Sequence, residues 1–231
     1  MRLEGRKALI TGAGRGIGKA MALAFGREGA RVVVSARTES EIESVAQEIT
    51  ANGGEACHVK ADMSDREDVF RLIAEVKERL GSLDIMVNNA ASYHYASVDS
   101  FDDQAWDRVL FVNLTAPYLI CKAFMGDMVR QKRGRIINVS SIFGRMGYAN
   151  MSAYSASKHG LIGFTRTLAL ETASDGVTVN AICPGSVATE GMYEMSKVEL
   201  KHLGLTPEES KERFLNLVPQ QRFLEPDEVA A

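Results

Sequence analysis

The sequence predicts an α/β fold in which a doubly wound parallel sheet carries helices on both faces. Short runs rich in Val and Ile alternate with amphipathic stretches along the whole chain. These runs do not alternate cleanly between apolar and polar residues, as expected of strands that are covered on both sides. Repetition of the order strand–helix–strand is typical of a parallel sheet.

Six apolar runs supply the predicted strands. They are KALIT (7–11), RVVVS (31–35), EACHVK (55–60), LDIMVN (83–88), GRIINVS (134–140) and VTVNAIC (177–183). Because no repeat, low-complexity tract or linker divides them, residues 1–231 are expected to form a single domain. Residues from about 186 to 222 match no strand and are expected to form a short helical lid, with one helix starting at Thr206 and Pro207.

The stretches between the strands carry helix signals. The first helix is predicted from an apolar stripe at helical spacing, formed by Ile17, Ala20, Met21, Ala24 and Phe25. Thr38 with Glu41, and Ser64 with Glu67, match capping boxes and predict the starts of two further helices.

Composition limits the classes of function. The 231 residues are 45% apolar and 25% charged, which suits one sizeable core, and the net charge of -3 argues against nucleic acid or anionic membrane as a partner. The three cysteines form no metal-binding or disulfide pattern, so no metal site and a reducing compartment are expected. The first apolar run starts at Lys7, and no run reaches the ~20 residues of a membrane span, so a cytoplasmic location is expected.

A glycine-rich turn, TGAGRGIG, follows the first strand, with glycines at 12, 14, 16 and 18. Glycine lets a backbone turn tightly and approach a pyrophosphate at a helix N-terminus, where free N–H groups favour an anion. Its position between a strand and an amphipathic helix therefore predicts a dinucleotide site. No G-K-[ST] follows, which disfavours a P-loop for ATP.

The loop after the second strand indicates which dinucleotide binds. An NAD site usually offers an acid to the ribose hydroxyls there, but this chain has Ala36 and Arg37, and its nearest acid is Glu39. Arg37, together with Arg15 in the glycine turn, suits the 2′-phosphate of NADP(H). NAD(H) stays possible, with both arginines then solvated on the surface.

The ends of the other strands also carry small or polar residues, at the sheet edge where ligands bind in such folds. Asp62 follows the third strand and is placed either to accept a hydrogen bond from adenine or simply to form a turn. NNAA (88–91), SS (140–141) and PGSVAT (184–189) follow the fourth, fifth and sixth strands.

Tyr154 and Lys158 form the pattern Y-x-x-x-K within YSASK. On a helix both side chains share one face, because residues i and i+4 are neighbours. A fixed ammonium stabilises phenolate and lowers the pKa of a tyrosine from its usual value of about 10. The pair therefore predicts an acid–base catalyst, the alternative being a solvated surface pair.

These motifs, with Asn113 in FVNLTAP, resemble the short-chain dehydrogenase/reductase family from Lys7 to Ala231. The resemblance implies a Rossmann-type fold and hydride transfer between NADP(H) or NAD(H) and a carbonyl or secondary alcohol. It implies a catalytic set of Asn113, Ser141, Tyr154 and Lys158, and the thirteen-residue spacing to Tyr154 selects Ser141 over Ser140. The implied cofactor contacts are Gly12, Arg15, Gly16, Ile17, Gly18, Arg37, Asp62, Met63, Asn89, Ala90, Tyr154, Lys158, Pro184, Gly185, Val187 and Thr189.

The resemblance also implies roles for the catalytic set. Tyr154 is the proton donor, and Lys158 lowers its pKa and contacts the nicotinamide ribose. Ser141 binds the substrate oxygen, and Asn113 holds a water beside Lys158. Two departures stand out: Ala91 replaces a usual glycine, and the sequence ends within a helix, so the last strand of the family is expected to be absent.

The substrate is less well indicated. The lid and the stretch PQQRFLEPDEVA are similar to those of 3-oxoacyl-carrier-protein reductase and 3-hydroxybutyrate dehydrogenase members, which favours a 3-oxoacyl or 3-hydroxy acid compound. Tyr93, Met192, Tyr193 and Met195 are candidate substrate contacts. The resemblance implies a homotetramer or homodimer. A dinucleotide-binding regulator without catalysis is the alternative of a different class.

Overall fold

A computed structural model describes residues 1–231 and shows one six-stranded sheet in the order β3-β2-β1-β4-β5-β6, with every pairing parallel. The doubly wound fold is thereby confirmed. The fourth strand begins at Ile85, two residues later than predicted. The residue before it, Asp84, accepts hydrogen bonds from Lys7 and Arg133 at the amino edge of the sheet. The strands are Lys7–Thr11 (β1), Arg31–Ala36 (β2), Glu55–Lys60 (β3), Ile85–Asn88 (β4), Gly134–Val139 (β5) and Val177–Ile182 (β6).

Nine α-helices connect and cover the strands. They are Gly16–Arg27 (α1), Glu39–Ala51 (α2), Arg66–Leu80 (α3), Asp103–Leu110 (α4), Ala116–Arg130 (α5), Ser152–Glu171 (α6), Glu190–Leu203 (α7), Pro207–Asn216 (α8) and Pro226–Ala230 (α9). Helices α7 and α8 occupy the segment from 186 to 222 in which a lid is predicted.

Two apolar layers hold the helices against the sheet. Successive strand residues point to opposite faces, so Ala8 and Ile10 pack with α1 and α2, whereas Leu9 packs with α3 and α5. At the amino edge, the buried Asp84 accepts a hydrogen bond from the backbone N–H of Lys7 at 2.9 Å and one from Arg133 Nε at 2.6 Å. This carboxylate joins the starts of β1, β4 and β5.

The helix starts agree only partly with the predicted caps. The Thr206 capping box with Glu209 is present. Thr38 is the N-cap of α2, but its side chain makes no capping hydrogen bond. The Ser64 prediction is wrong: Asp65 caps α3 by accepting from the backbone N–H of Glu67, while Ser64 donates to Asp62 Oδ1. A carboxylate is as good an N-cap as a hydroxyl.

Helices α4 and α5 are joined by a π-helical turn, Phe111–Thr115. Together they form the stretch Asp103–Arg130, which has the length and hydropathy of a membrane span. Half of its most apolar window is buried inside the fold, and the core helices of globular domains share these properties. Such π-helical turns often mark functional sites, and this one contains Asn113.

Candidate active site

A cleft of about 730 Å³ lies along the carboxyl edge of the sheet. Segments that follow all six strands contribute to its walls, as expected of a doubly wound sheet. Of the residues predicted for the site, all but Gly18, Asn113 and Tyr193 line this cleft. The fold therefore brings together side chains that are widely separated in sequence.

The glycine turn after β1 matches the needs of a pyrophosphate. Gly12 and Gly16 have φ angles of 64° and 55°, which favour glycine. Helix α1 has no side-chain cap and no acidic residue in its first turn, so its N–H groups stay available to an anion at the cleft. Gly18 has a packing role instead: a Cβ there would lie 2.3 Å from the carbonyl oxygen of Gly12.

Asn89 and Thr11 brace the glycine turn, a role that the sequence did not reveal for Thr11. Asn89 Nδ2 donates to the carbonyl oxygens of Thr11 and Gly12, both at 3.0 Å. The Thr11 hydroxyl accepts from the backbone N–H groups of Asn89 and Ala90, both at 3.1 Å. The side chain of Asn89 is thus committed to shaping the turn. Ala91 adopts no positive φ, so the methyl at this departure adds no backbone strain.

The charged groups near the predicted ribose position are two arginines and one unforeseen acid. Arg15 and Arg37 line the cleft, and neither makes a salt bridge within the protein. Glu39 instead approaches Lys60, at 3.8 Å. Glu41 also lines the cleft, and its carboxylate lies beside Gly14, where a Cβ would be 2.7 Å from Oε2. The sequence had indicated only a capping role for Glu41, and not a position in the cleft.

Asp62 and Met63 line the cleft after β3. Asp62 Oδ1 accepts hydrogen bonds at 2.8 Å from the backbone N–H and the hydroxyl of Ser64, so this residue does form a turn. After β6, the cleft is lined by Pro184, Gly185, Val187 and Thr189. Thr189 also caps the lid helix α7 by accepting from the backbone N–H of Met192 at 3.2 Å.

Tyr154 and Ser141 meet in the middle of the cleft. Burial raises the pKa of Tyr154, and the neighbouring Ser141 side chain lowers it by a smaller amount. Ser141 is itself fixed, because its Oγ accepts from the backbone N–H of Phe143 at 3.1 Å. Ser140 points to α6 and donates to the carbonyl oxygen of Lys158 at 3.1 Å. The spacing argument thus selects the serine that contacts Tyr154.

Lys158 lies one helical turn after Tyr154 and is 1% exposed. Its ammonium donates to the carbonyl oxygen of Val139 at 2.7 Å and lies 5.6 Å from the centre of the Tyr154 ring. Burial lowers the pKa of Lys158 to about 8. At neutral pH the group therefore remains mainly an ammonium, but it loses its proton at a lower pH than an exposed lysine does.

The expected lowering of the pKa of Tyr154 by Lys158 does not occur in the protein alone. Burial disfavours phenolate and ammonium alike, so it raises the pKa of Tyr154 and lowers that of Lys158. Tyr154 is therefore protonated at neutral pH and is ready to donate a proton. Activation of the phenol as a base would need a further positive charge beside it.

Asn113 lies in the π-helical turn and is buried, away from the cleft wall. Its Oδ1 accepts from the backbone N–H of Ser92, while Nδ2 donates to the carbonyl oxygen of Ser92 and to Ser157 Oγ. These bonds fasten the segment after β4 to helix α6. Because they use both hydrogens of Nδ2, a water beside Lys158 could bind Asn113 only through the second lone pair of Oδ1 or through its backbone.

The remaining wall of the cleft is mostly apolar. This wall is lined by Tyr93, Phe143, Met192, Met195 and Phe214. Phe143 packs edge-to-face on Tyr154, with ring centres 6.5 Å apart. Tyr193, also expected to cover the substrate, is 49% exposed and does not line the cleft, because it faces away from Met192 and Met195 on α7.

Comparison with protein families gives a match between residues 6–199 and the family described as short chain dehydrogenase. The matched region covers the strands, the glycine turn and the Tyr154–Lys158 pair. It ends within the lid helix α7.

Individual proteins are similar over nearly the full length. The chain is 40% identical to a 3-oxoacyl-[acyl-carrier-protein] reductase of Synechocystis sp., covering 99% of this chain and 87% of the relative. It is 35% identical to the D-beta-hydroxybutyrate dehydrogenase of Cupriavidus necator, covering 99% and 89%. Among solved structures, a variant of actinorhodin polyketide ketoreductase with NADPH superposes with a TM-score of 0.92 at 37% identity, covering 98% of this chain and 87% of that one.

Proposed function

The chain belongs to the short-chain dehydrogenase family and is an oxidoreductase of carbonyl and alcohol groups; from this premise we propose that it reduces a neutral 3-oxoacyl compound with NADPH. The observation that carries the proposal is the cleft, which places Tyr154 and Ser141 between a glycine turn suited to a dinucleotide and an apolar wall.

The residues of the cleft fit an NADP(H) molecule. The uncapped start of α1 and the turn from Gly12 to Gly16 would hold the pyrophosphate. Arg15 and Arg37 would hold the 2′-phosphate, because both are free of ion pairs and guanidinium binds phosphate through paired hydrogen bonds. When bound, the nicotinamide supplies the hydride. The NADPH in the similar ketoreductase structure supports this choice over NAD(H).

The chain's own groups would manage the proton and the developing charge. Ser141 would donate a hydrogen bond to the substrate oxygen and stabilise negative charge there. Tyr154, protonated at neutral pH, would deliver its proton to the same oxygen. Lys158, one turn away, would stabilise the phenolate left behind. Asn113 would hold α6 against the segment that follows β4 through its hydrogen bonds to Ser157 and Ser92.

The wall of the cleft formed by residues 184–214 favours a neutral substrate over a free acid. None of the lining residues from 184–214 is Lys or Arg, and the basic lining residues that follow β4 and β5 are Arg108 of α4 and the catalytic Lys158. The lid contributes one charged side chain, Glu190, which would repel a carboxylate. A thioester or ester next to the ketone carries no charge and suits the wall of Met192, Met195 and Phe143. A 3-hydroxy acid, the class named for the Cupriavidus relative, is the second candidate.

A matched pair of substrates tests the proposal. We expect NADPH to be consumed with a 3-oxobutyryl thioester of N-acetylcysteamine at a kcat/KM at least about tenfold above that for acetoacetate. The wall formed by residues 184–214 offers a carboxylate no positive partner, and an uncompensated charge costs at least this much. Faster turnover of the free acids would select the second candidate. Cofactor binding without turnover of any carbonyl compound or alcohol would instead identify a dinucleotide-binding regulator.

We also propose a homo-oligomer, a dimer or tetramer, in the cytoplasm. The exposed apolar side chains of Trp106, Tyr118 and Leu170 on α4, α5 and α6 support a self-association surface. Three free cysteines are compatible with a reducing compartment. Sedimentation at micromolar concentration measures the assembly, and a monomer would contradict it.

A further inference from the structure

One stripe of the lid helix α7 faces the body of the protein along its whole length. Met192, Met195, Glu199 and His202 follow the spacing i, i+3, i+7, i+10, which places them on a single face. The two methionines line the cleft. Glu199 and His202, farther along the same stripe, contact two tyrosines of the body, Tyr148 and Tyr95.

Glu199 is the only fully buried residue of α7, with 0% exposure. Tyr148 donates its hydroxyl proton to Glu199 Oε1 at 2.7 Å, and Arg213 of α8 approaches the same oxygen at 3.5 Å. The second oxygen, Oε2, is buried and has no partner. The lid therefore attaches to the body through a buried carboxylate. An apolar side chain at this point would pack without the cost of removing a charge from water.

Burial of a carboxylate is unfavourable unless hydrogen bonds and opposite charge compensate it. Here the compensation is incomplete, since one oxygen is unpaired and Arg213 is half exposed. A hydrogen bond to a charged group is directional and roughly twice as strong as a neutral one. As an anchor, a directional hydrogen bond therefore fixes the position of α7 more precisely than an apolar contact would, because apolar surfaces can slide past one another.

Tyr148 connects this anchor to the catalytic tyrosine. Its ring stacks on Phe143 with centres 4.5 Å apart, and Phe143 in turn packs edge-to-face against Tyr154. A continuous series of contacts thus runs from Arg213 and Glu199 in the lid, through Tyr148 and Phe143, to the proton donor. Met192 and Met195 lie two turns and one turn before Glu199 on the same helix.

We propose that Glu199 is a positioning residue: its hydrogen bond with Tyr148 seats the lid helix and thereby sets how closely the methionine wall contacts a substrate that extends beyond its ketone. This role rests on the reductase activity proposed above. It predicts that the anchor affects the binding of long substrates but hardly affects small ketones or the cofactor, whose pyrophosphate position lies at the far end of α7.

Three variants test the role, each with a long-chain 3-oxoacyl thioester and a small ketone as substrates. Glu199→Ala and Tyr148→Phe should each raise KM for the thioester about tenfold, which corresponds to the loss of one charged hydrogen bond. KM for the small ketone and the Kd of NADPH should change by less than about twofold. Glu199→Gln should retain most of the activity, because its amide oxygen still accepts from Tyr148. Combining the first two changes should add little, since both remove one bond.

Controls separate positioning from stability and from the proposed activity. Glu212→Ala removes an exposed lid glutamate and should behave as wild type. Hydrogen exchange in residues 190–203 should accelerate in Glu199→Ala, a result that needs no turnover and therefore stands even if wild type reduces no ketone. A lowered Tm with unchanged KM for the thioester would overturn the proposal. Equal losses for both ketones and NADPH would overturn it too.

Discussion

Replacement of Lys158 by methionine should change how the stability of the cofactor-free protein depends on pH. The ammonium is 1% exposed and has one hydrogen bond, to Val139, while burial lowers its pKa from 10.5 to about 8. At about 1.36 kcal/mol for each pKa unit, burial disfavours the charged form by about 3 kcal/mol. Methionine fills a similar volume without any charge.

The sign of the effect follows from proton binding. Between about pH 8 and pH 10.5 the unfolded chain binds more protons at Lys158 than the folded chain does, so the free energy of unfolding of wild type rises with pH. Lys158→Met lacks this titration. Its stability relative to wild type should therefore fall by about 2 kcal/mol between about pH 7 and pH 9.5.

Urea unfolding of both proteins at several pH values measures this difference. The other titrating groups are shared, so subtracting the two curves isolates Lys158. A stability difference that stays constant with pH would refute the reasoning, because it would mean that the ammonium keeps its ordinary pKa in the fold. The variant should also be inactive, which would show that the charge is kept for function at the expense of stability.

Three further outcomes are expected. Tyr154→Phe should lose roughly a hundredfold or more in kcat and keep its NADPH affinity, because only the proton donor is removed; turnover at the wild-type rate would contradict the assignment. Ala36→Asp with Arg37→Ala should reverse the preference for NADPH over NADH in kcat/KM, since the carboxylate repels a 2′-phosphate, and an unchanged preference would place the phosphate elsewhere. Gly18→Ala should weaken cofactor binding, measured by fluorescence titration, because its methyl would displace the Gly12 carbonyl.

Strands and motifs at strand ends were predictable because they depend on local pattern. The apolar runs predicted all six strands. The glycine turn and the Tyr154–Lys158 spacing predicted residues that line the cleft. Parallel strands bring their carboxyl ends to one edge, so residues that follow different strands meet whatever their distance in sequence. This topology explains why residues that follow different strands could be predicted to line one cleft.

Roles that depend on side-chain partners were not predictable. Asn113 was expected to hold a water beside Lys158, and nothing in the sequence indicated that its amide hydrogen-bonds Ser92 and Ser157. The pKa of Tyr154 was expected to fall, yet burial outweighs its polar neighbours. Glu199 looked like an ordinary charged residue on an amphipathic helix, and only the packing of α7 on Tyr148 buries it. Desolvation and tertiary hydrogen bonds leave no local signature in a sequence.

The most direct test of the central claim is the fate of hydride in the proposed reaction. The thioester substrate is incubated with NADPH that carries deuterium at the transferable position, and the product is analysed by mass spectrometry. Reduction by this chain predicts one deuterium on the carbinol carbon of each product molecule with wild type, and product formation at least about a hundredfold slower with Tyr154→Phe. Binding of NADPH with no labelled alcohol, across neutral and acidic ketones, would contradict the account.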